Sequence, residues 1–137
     1  MTHLTSNDWM DRPRKAFPVR LPGKGRGLLA GLDIEPGEKI ERCCTVPIGP
    51  GLWDTLNRLS PLGDFYFDHP EGTDDALIIL GLISIVNHDD HPNADIRWLY
   101  QDDLGWIAEL VALTHIPAGH EITYRYRCGA WFELAPT

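Results

Sequence analysis

Three short stretches carry side chains able to do chemistry. Residues 87–93 read Asn-His-Asp-Asp-His-Pro-Asn, residues 24–27 read Lys-Gly-Arg-Gly, and residues 119–126 close on Tyr124-Arg125-Tyr126. In the first stretch His88, Asp89, Asp90 and His91 are all ligand types for a borderline or hard cation. Four adjacent side chains in an extended or turn segment point in different directions, however, whereas ligands built on one element usually share a face. On these residues alone the favoured reading is a solvated turn in which Asp and Asn satisfy their own backbone. In the second stretch the glycines at 23, 25 and 27 free the backbone to take positive φ and leave its N–H groups unshielded, a shape suited to an anionic or zwitterionic ligand. A simple hairpin turn explains the same residues. A dinucleotide fingerprint does not, because it needs a following helix and residues 33–38 make another turn.

The elements that must hold these stretches follow from hydrophobic pattern. The apolar run at 80–86 leads straight into Asn87-His88 and is expected to be core, at roughly 1.5–3 kcal/mol for each fully buried large side chain. The polar block after it is thereby fixed at the edge of the core. Residues 1–15 are polar and without period, a tail or partly docked arm. Residues 17–21 read as an edge strand that tolerates Pro18, and residues 38–48 as a strand closed by Pro47. Leu52, Trp53, Leu56 and Leu59 have helical spacing over 51–59, ended by Ser60-Pro61-Leu62-Gly63. Phe65-Tyr66-Phe67 reads as a short aromatic strand, core by default and a ligand wall in the minority reading. Residues 68–75 form a polar loop. Ile96, Trp98 and Tyr100 alternate along a strand at 95–100, which pairs back through a turn at 101–105 with residues 106–113. After a turn at 116–120, residues 121–126 make the last strand. Short strands with frequent Gly/Pro turns and little helix imply a mostly β fold of small curved sheets.

Composition limits the partners. A chain of 137 residues with 43% apolar residues fits one domain with a real core. A formal charge of −8 disfavours nucleic acid, since there is no cationic surplus to displace counterions, and favours basic protein segments. Cys43, Cys44 and Cys128 make neither a disulfide framework nor a zinc pattern, which points to a reducing compartment. No stretch reaches membrane-spanning length and no signal-peptide pattern is present, so an intracellular, cytoplasmic protein without membrane partners is expected.

Taken in order, Gly25-x-Gly27 followed by Leu-Leu-Ala, Asn87-His88-x-x-x-Pro92-Asn93, and Gly119-x-Glu121-Ile122-Thr123-Tyr124-x-Tyr126 resemble the SET-domain protein-lysine methyltransferases. The likeness spans residues 17–132 and is strongest to the minimal viral and bacterial members, which lack cysteine-rich flanks. It implies a domain at 16–137, folded as several small β-sheets with a C-terminal pseudoknot in which the last segment passes through the loop holding Asn-His. The cofactor implied is S-adenosylmethionine. Its methionine end would lie on Gly25, Arg26 and Gly27, with Lys24 or Arg26 near the carboxylate. Asn87 and His88 would fix it further, His88 through main-chain bonds to the adenine. Tyr126 stands at the position of the family's catalytic tyrosine. Tyr124 stands where the family carries Phe or Tyr, the choice that limits how many methyl groups fit. Phe65 or Tyr66 would face the substrate, and Trp131 and Phe132 would wall the lysine channel and cover the adenine. Where the family has Ser-Cys after Asn-His this chain has Asp89-Asp90, and Arg125 replaces an Asp, so a pairing of Arg125 with one of these carboxylates is expected.

The resemblance also implies a basic lysine-containing substrate such as a histone or histone-like tail, chromatin association if the substrate is a histone, and a homodimer as in small family members. Mainly monomethylation, with some dimethylation, is expected from the extra hydroxyl of Tyr124. Two other classes stay open at this point: a silent SET-fold module that binds peptide or S-adenosylmethionine, and a metal-dependent hydrolase using His88, Asp90 and His91.

Overall fold

Short β-prone runs cut by Gly/Pro turns favour hairpins, and the computed structural model, which describes residues 14–126, is built largely of them. β1 (Ala16–Leu21) and β2 (Gly25–Ala30) pair antiparallel from Ala16↔Ala30 to Leu21↔Gly25. β3 (Lys39–Ile48) leads to the α-helix α1 (Pro50–Leu59), a 3-10 turn (Pro61–Phe65), β4 (Tyr66–Asp68) and β5 (Ala76–Leu80). A second 3-10 turn (Leu82–Ile85) precedes β6 (Asn87–His88), the hairpin of β7 (Ala94–Gln101) and β8 (Gly105–Ala112), and β9 (Glu121–Tyr124).

Two sheets result, ordered β1-β2-β9-β6 and β4-β5-β3-β8-β7. The second is strongly curled, for its two edge strands meet: the Phe67 ring of β4 lies 6.4 Å from the Trp98 ring of β7, edge to face. Strand twist makes such curling the normal outcome for a small sheet. The core lies between the sheets, where Leu28, Ile34, Ile83, Leu110, Ile116 and Ile122 are fully buried. Ile34 and Ile116 exchange backbone hydrogen bonds of 2.9 and 2.8 Å, so the two proline turns seen in the sequence are tied to each other.

Several expectations are corrected. The glycine stretch forms the hairpin that its turn residues suggest, but the turn is confined to 22–24 and Gly25-Arg26-Gly27 is already the start of β2. The run at 80–86 is only partly core. Ile83 and Val86 are buried, but Leu80 ends β5 with 55% exposure. Gly81 then turns the chain at φ 142°, and a Cβ there would sit 2.6 Å from the Cys43 sulfur. The strand β5 itself, Ala-Leu-Ile-Ile-Leu, was not anticipated, because an unbroken apolar run has no period to read. Pro47 does not close β3 but lies within it, beyond Cys44, where β8 no longer flanks the strand and proline is tolerated. Phe65 belongs to the 3-10 turn rather than to a strand.

α1 forms as its spacing predicts. Pro50 occupies the first turn, Asp54 and Arg58 pair at i,i+4, and the Ser60 N–H closes on the Leu56 carbonyl at 2.9 Å. No α1 residue is fully buried. Trp53 meets Tyr66 edge-on at 4.8 Å, whereas Leu52 and Leu59 stay exposed. Among the described residues no helix is long and apolar enough to cross a membrane. The threading step expected of the C-terminal segment falls beyond residue 126, outside the described residues.

Candidate functional site

The three stretches with chemical side chains converge because β9 is sandwiched between β2 and β6. It pairs antiparallel with β2 through Leu28↔Ile122 and Leu29↔Glu121, and parallel with β6 through Asn87↔Thr123 and His88↔Tyr124. Asn93 fastens this junction. Its amide N donates to the Glu121 carbonyl and its amide O accepts from the Thr123 N–H, each at 2.8 Å. Asp89 caps the turn that follows β6 by accepting from the His91 N–H at 2.8 Å, the Asx geometry expected of the polar block.

Glu121 is the hub at one end of the junction, a role that its place in the last motif did not by itself assign. One carboxylate oxygen takes the Lys24 ammonium at 2.6 Å, and the other accepts from the Asn87 amide at 2.8 Å. That amide also donates to the Arg26 carbonyl at 3.0 Å. The hydrogen bond and charge of Glu121 raise the pKa of Lys24 above its ordinary value. Gly27 sits under this cluster. A Cβ there would lie 2.5 Å from the Leu21 side chain, 2.7 Å from the Asn87 amide nitrogen and 3.0 Å from Glu121, so any side chain at this position must push those three side-chain ends aside. Gly27→Ala is therefore expected to displace Asn87 and cost about 1–3 kcal/mol, measured as a lower urea midpoint. An unchanged midpoint would show that the cluster yields at no cost.

At the other end His88 organises the aromatic pair. Its Nδ1 accepts the Tyr126 backbone N–H at 3.0 Å, which places the ring proton on Nε2, and Nε2 donates to Asp90 at 2.9 Å. That hydrogen bond, with a smaller contribution from the Arg125 charge, holds the Asp90 carboxyl below its usual pKa. β9 ends at Tyr124 rather than running to Tyr126, because the N–H of Tyr126 goes to an imidazole. The Tyr126 ring lies 5.0 Å from His88 and 5.1 Å from Tyr124, and its hydroxyl donates to the Val86 carbonyl at 3.3 Å.

Three cavities meet at these rings. One of about 240 Å³ is lined by Lys24, Arg26, Asp64, Phe65, Asn87 and Tyr126, among others. A second, of about 610 Å³, is lined by Phe67, Asp68, His69, Ile96, Trp98 and Tyr124 with part of the loop after β4. Between them is a narrow one of about 40 Å³, walled by Phe65, Tyr66, Phe67, Val86, Tyr124 and Tyr126. Tyr126 borders the first and the narrow cavity, and Tyr124 borders the narrow and the wide one. The first is cationic at Lys24 and Arg26, whose guanidinium lies 5.6 Å from the Phe65 ring centre. The wide one is acidic at Asp68, whose carboxyl is pushed up by burial.

The residues singled out in the sequence are therefore largely brought together, with shifts of place. Lys24, Arg26 and Asn87 share the first cavity, and Tyr124 and Tyr126 share the narrow one. Phe65, expected beside the substrate, lines the first and narrow cavities, and Tyr66 reaches only the narrow one while packing on Trp53. Phe67 lines both the narrow and the wide cavity, and Trp98 lines the wide one. For Phe67 this matches the minority ligand-wall reading of the 65–67 stretch, whereas Trp98 was read only as part of an alternating strand. Trp131 and Phe132 lie outside the described residues. Among the described residues no three His, Cys, Asp or Glu side chains converge in a way that could hold a metal ion.

Comparison with known proteins gives the context. A family model described as SET domain matches residues 25–127. Among solved structures the fold is similar to that of a Plasmodium falciparum protein described as a candidate histone methyltransferase, with 26% identity, a TM-score of 0.66, and 86% of this chain against 97% of that one covered. It is similar also to a chain in a humanized mutant of Chaetomium thermophilum Polycomb Repressive Complex 2 bound to an inhibitor, with 24% identity, TM-score 0.65, and coverage of 85% here and 15% there. A chain of ctPRC2 bound to S-adenosylmethionine shares 21% identity at TM-score 0.67, with 91% and 17% covered. Among curated proteins nothing matches the sequence.

Proposed function

The chain belongs to the SET-domain family, and we propose that it is an S-adenosylmethionine-dependent protein-lysine N-methyltransferase acting on a basic segment such as a histone or histone-like tail. One observation carries this reading. A cationic cavity and an acidic cavity lie on either side of a narrow aromatic one, which shares Tyr126 with the first and Tyr124 with the second, an arrangement that suits a reaction whose two substrates arrive from opposite sides.

The donor set of the first cavity fits the cofactor. Lys24 and Arg26 suit a carboxylate, the Asn87 amide and the β2 backbone suit a zwitterionic head group, and the Phe65 ring suits an apolar neighbour. When bound, S-adenosylmethionine supplies an electrophilic methyl group on a positive sulfur. The acceptor lysine, whose free pKa is about 10.4, must present a neutral amine. A passage walled by Phe67, Tyr124 and Tyr126 disfavours the ammonium by excluding water. The Tyr126 hydroxyl and the Val86 carbonyl, already hydrogen-bonded to each other, place oxygen atoms at the passage, where partial positive charge on a transferring methyl is stabilised by weak C–H···O contacts. Alignment is the main contribution of such a site, and the His88 imidazole supplies it by fixing the Tyr126 backbone.

Methyl transfer from labelled S-adenosylmethionine to core histones, basic bacterial proteins and whole lysate tests the reading, with cofactor binding followed separately by calorimetry. Label on a specific lysine supports it. Cofactor binding without transfer to any member of the panel would favour the silent module, and absence of both would remove the assignment. The product carries a further expectation. Tyr124 is buried, with its ring 5.9 Å from Phe67, and a hydroxyl there takes space that a second methyl needs. Monomethyl-lysine is expected to dominate, and Tyr124→Phe is expected to raise the di- and trimethyl fractions in mass spectra. Trimethyl-lysine as the main product of the native protein would refute this.

A further inference from the structure

The wide cavity does not end at its own rim. β7 alternates Ile96, Trp98 and Tyr100 on one face, and Ile96 and Trp98 line the cavity. Tyr100 continues the row outward and pairs across the hairpin with Trp106, their rings 5.3 Å apart. His69, a cavity residue on the loop after β4, meets the Trp106 ring at 5.5 Å. Its orientation is set by the Glu71 N–H, which donates to Nδ1 at 3.1 Å. A continuous strip of rings thus runs from the mouth of the passage to the tip of the β7–β8 hairpin. Its outer end lies open, with Tyr100 59% exposed.

Both segments beside the strip have the same sign of charge. The loop at 68–75 carries four carboxylates and the hairpin turn adds Asp102 and Asp103, with no Lys or Arg in either. Arg97 belongs to the opposite face of β7, where it pairs with Glu109. Rings with a free face attract guanidinium and ammonium groups within about 6 Å of the centroid. Surrounding carboxylates raise the local concentration of such groups.

We propose that the strip Trp98–Tyr100–Trp106–His69 is a docking surface for cationic residues that flank the acceptor lysine of the substrate protein. This rests on the lysine-methyltransferase reading, since it takes the wide cavity as the side from which the lysine enters. Alternate residues on a strand are about 7 Å apart, the same interval at which an extended peptide presents alternate side chains. A peptide lying along β7 with its lysine at Tyr124 would therefore present successive alternate side chains over Trp98 and then Tyr100. The substrate class becomes narrower than a basic protein: a lysine with arginine or lysine close by in an extended segment.

Equilibrium binding of two synthetic peptides to the full chain tests this, independently of turnover. Both contain a single acceptor lysine; one has arginines on either side and the other has glutamines in their place. The arginine peptide is expected to bind roughly tenfold more tightly at low salt, an advantage that falls as salt rises. Tyr100→Ala, at an exposed position, and the pair Asp102→Asn with Asp103→Asn are each expected to remove several-fold of that advantage. Affinity for S-adenosylmethionine should stay unchanged in both. Equal binding of the two peptides by the native protein, or an arginine advantage untouched by either variant, overturns the docking surface. An arginine advantage sensitive to both variants, in a protein that binds S-adenosylmethionine yet transfers no methyl to either peptide, upholds the surface while counting against the methyltransferase reading.

Discussion

Tyr126→Phe is expected to lower the rate of methyl transfer on the order of 10²-fold while changing cofactor affinity little. The two effects separate because the position of the ring does not depend on its hydroxyl. The backbone N–H of Tyr126 is anchored on His88 Nδ1, and the ring packs between His88 and Tyr124; phenylalanine keeps all three contacts. What is lost is the oxygen beside the Val86 carbonyl at the narrow passage. Single-turnover rates with saturating cofactor, beside calorimetric dissociation constants, measure the two effects. A variant that binds cofactor poorly but turns over normally once loaded would mean that Tyr126 holds the cofactor and does no more.

Glu109→Gln is expected to destabilise the fold by about 2 kcal/mol at neutral pH, less than the 3–5 kcal/mol typical of breaking a fully buried pair. Glu109 is 1% exposed on β8 and accepts Lys39 at 2.9 Å and Arg97 at 2.8 Å, with Arg42 at 3.8 Å. The cations left behind are about half exposed and can be hydrated, hence the reduced figure. The Lys39 hydrogen bond first, and then that of Arg97, hold the Glu109 carboxyl below its ordinary pKa against the opposing effect of burial. A carboxylate with a depressed folded pKa stabilises fully above its unfolded value, about 4.3, and that contribution disappears as pH falls through the lower folded value. Urea titrations should therefore show parent and variant far apart at pH 7 and converging in acid. Equal midpoints at pH 7 would show that the three cations gain nothing from this carboxylate.

What could be read from the sequence was what had a period or a turn signature. The β7–β8 hairpin follows from Ile96-x-Trp98-x-Tyr100, α1 from its helical spacing, and the two proline turns from their dipeptides. The order of motifs was enough to bring Lys24, Arg26, Asn87, His88, Tyr124 and Tyr126 together before any coordinates. Glu121 stood in the last motif without a role, for a physical reason: that role arises from its being the residue of β9 that faces both Lys24 and Asn87, partners far away in the chain. Trp98 was missed because a ring lining a cavity and a ring filling a core obey the same alternation, the ambiguity that left Phe67 with both readings. Leu80 misled in the opposite direction, since an apolar run says nothing about where a glycine such as Gly81 will turn it out of the core.

The placement of β9 has a kinetic consequence. The β1–β2, β4–β5 and β7–β8 hairpins close over short loops and can form early, whereas β9 must find β2 from across most of the chain and slot in beside β6. Such distant pairings are slow, because loop entropy is lost before any contact rewards it. During folding, therefore, the hairpins are finished while Lys24, Asn87 and Tyr126 are still apart. Competence for chemistry arrives with the last strand, in a single step. A ligand that touches both β2 and β6 recognises only the completed chain, and by mass action it lengthens the time that strand stays docked.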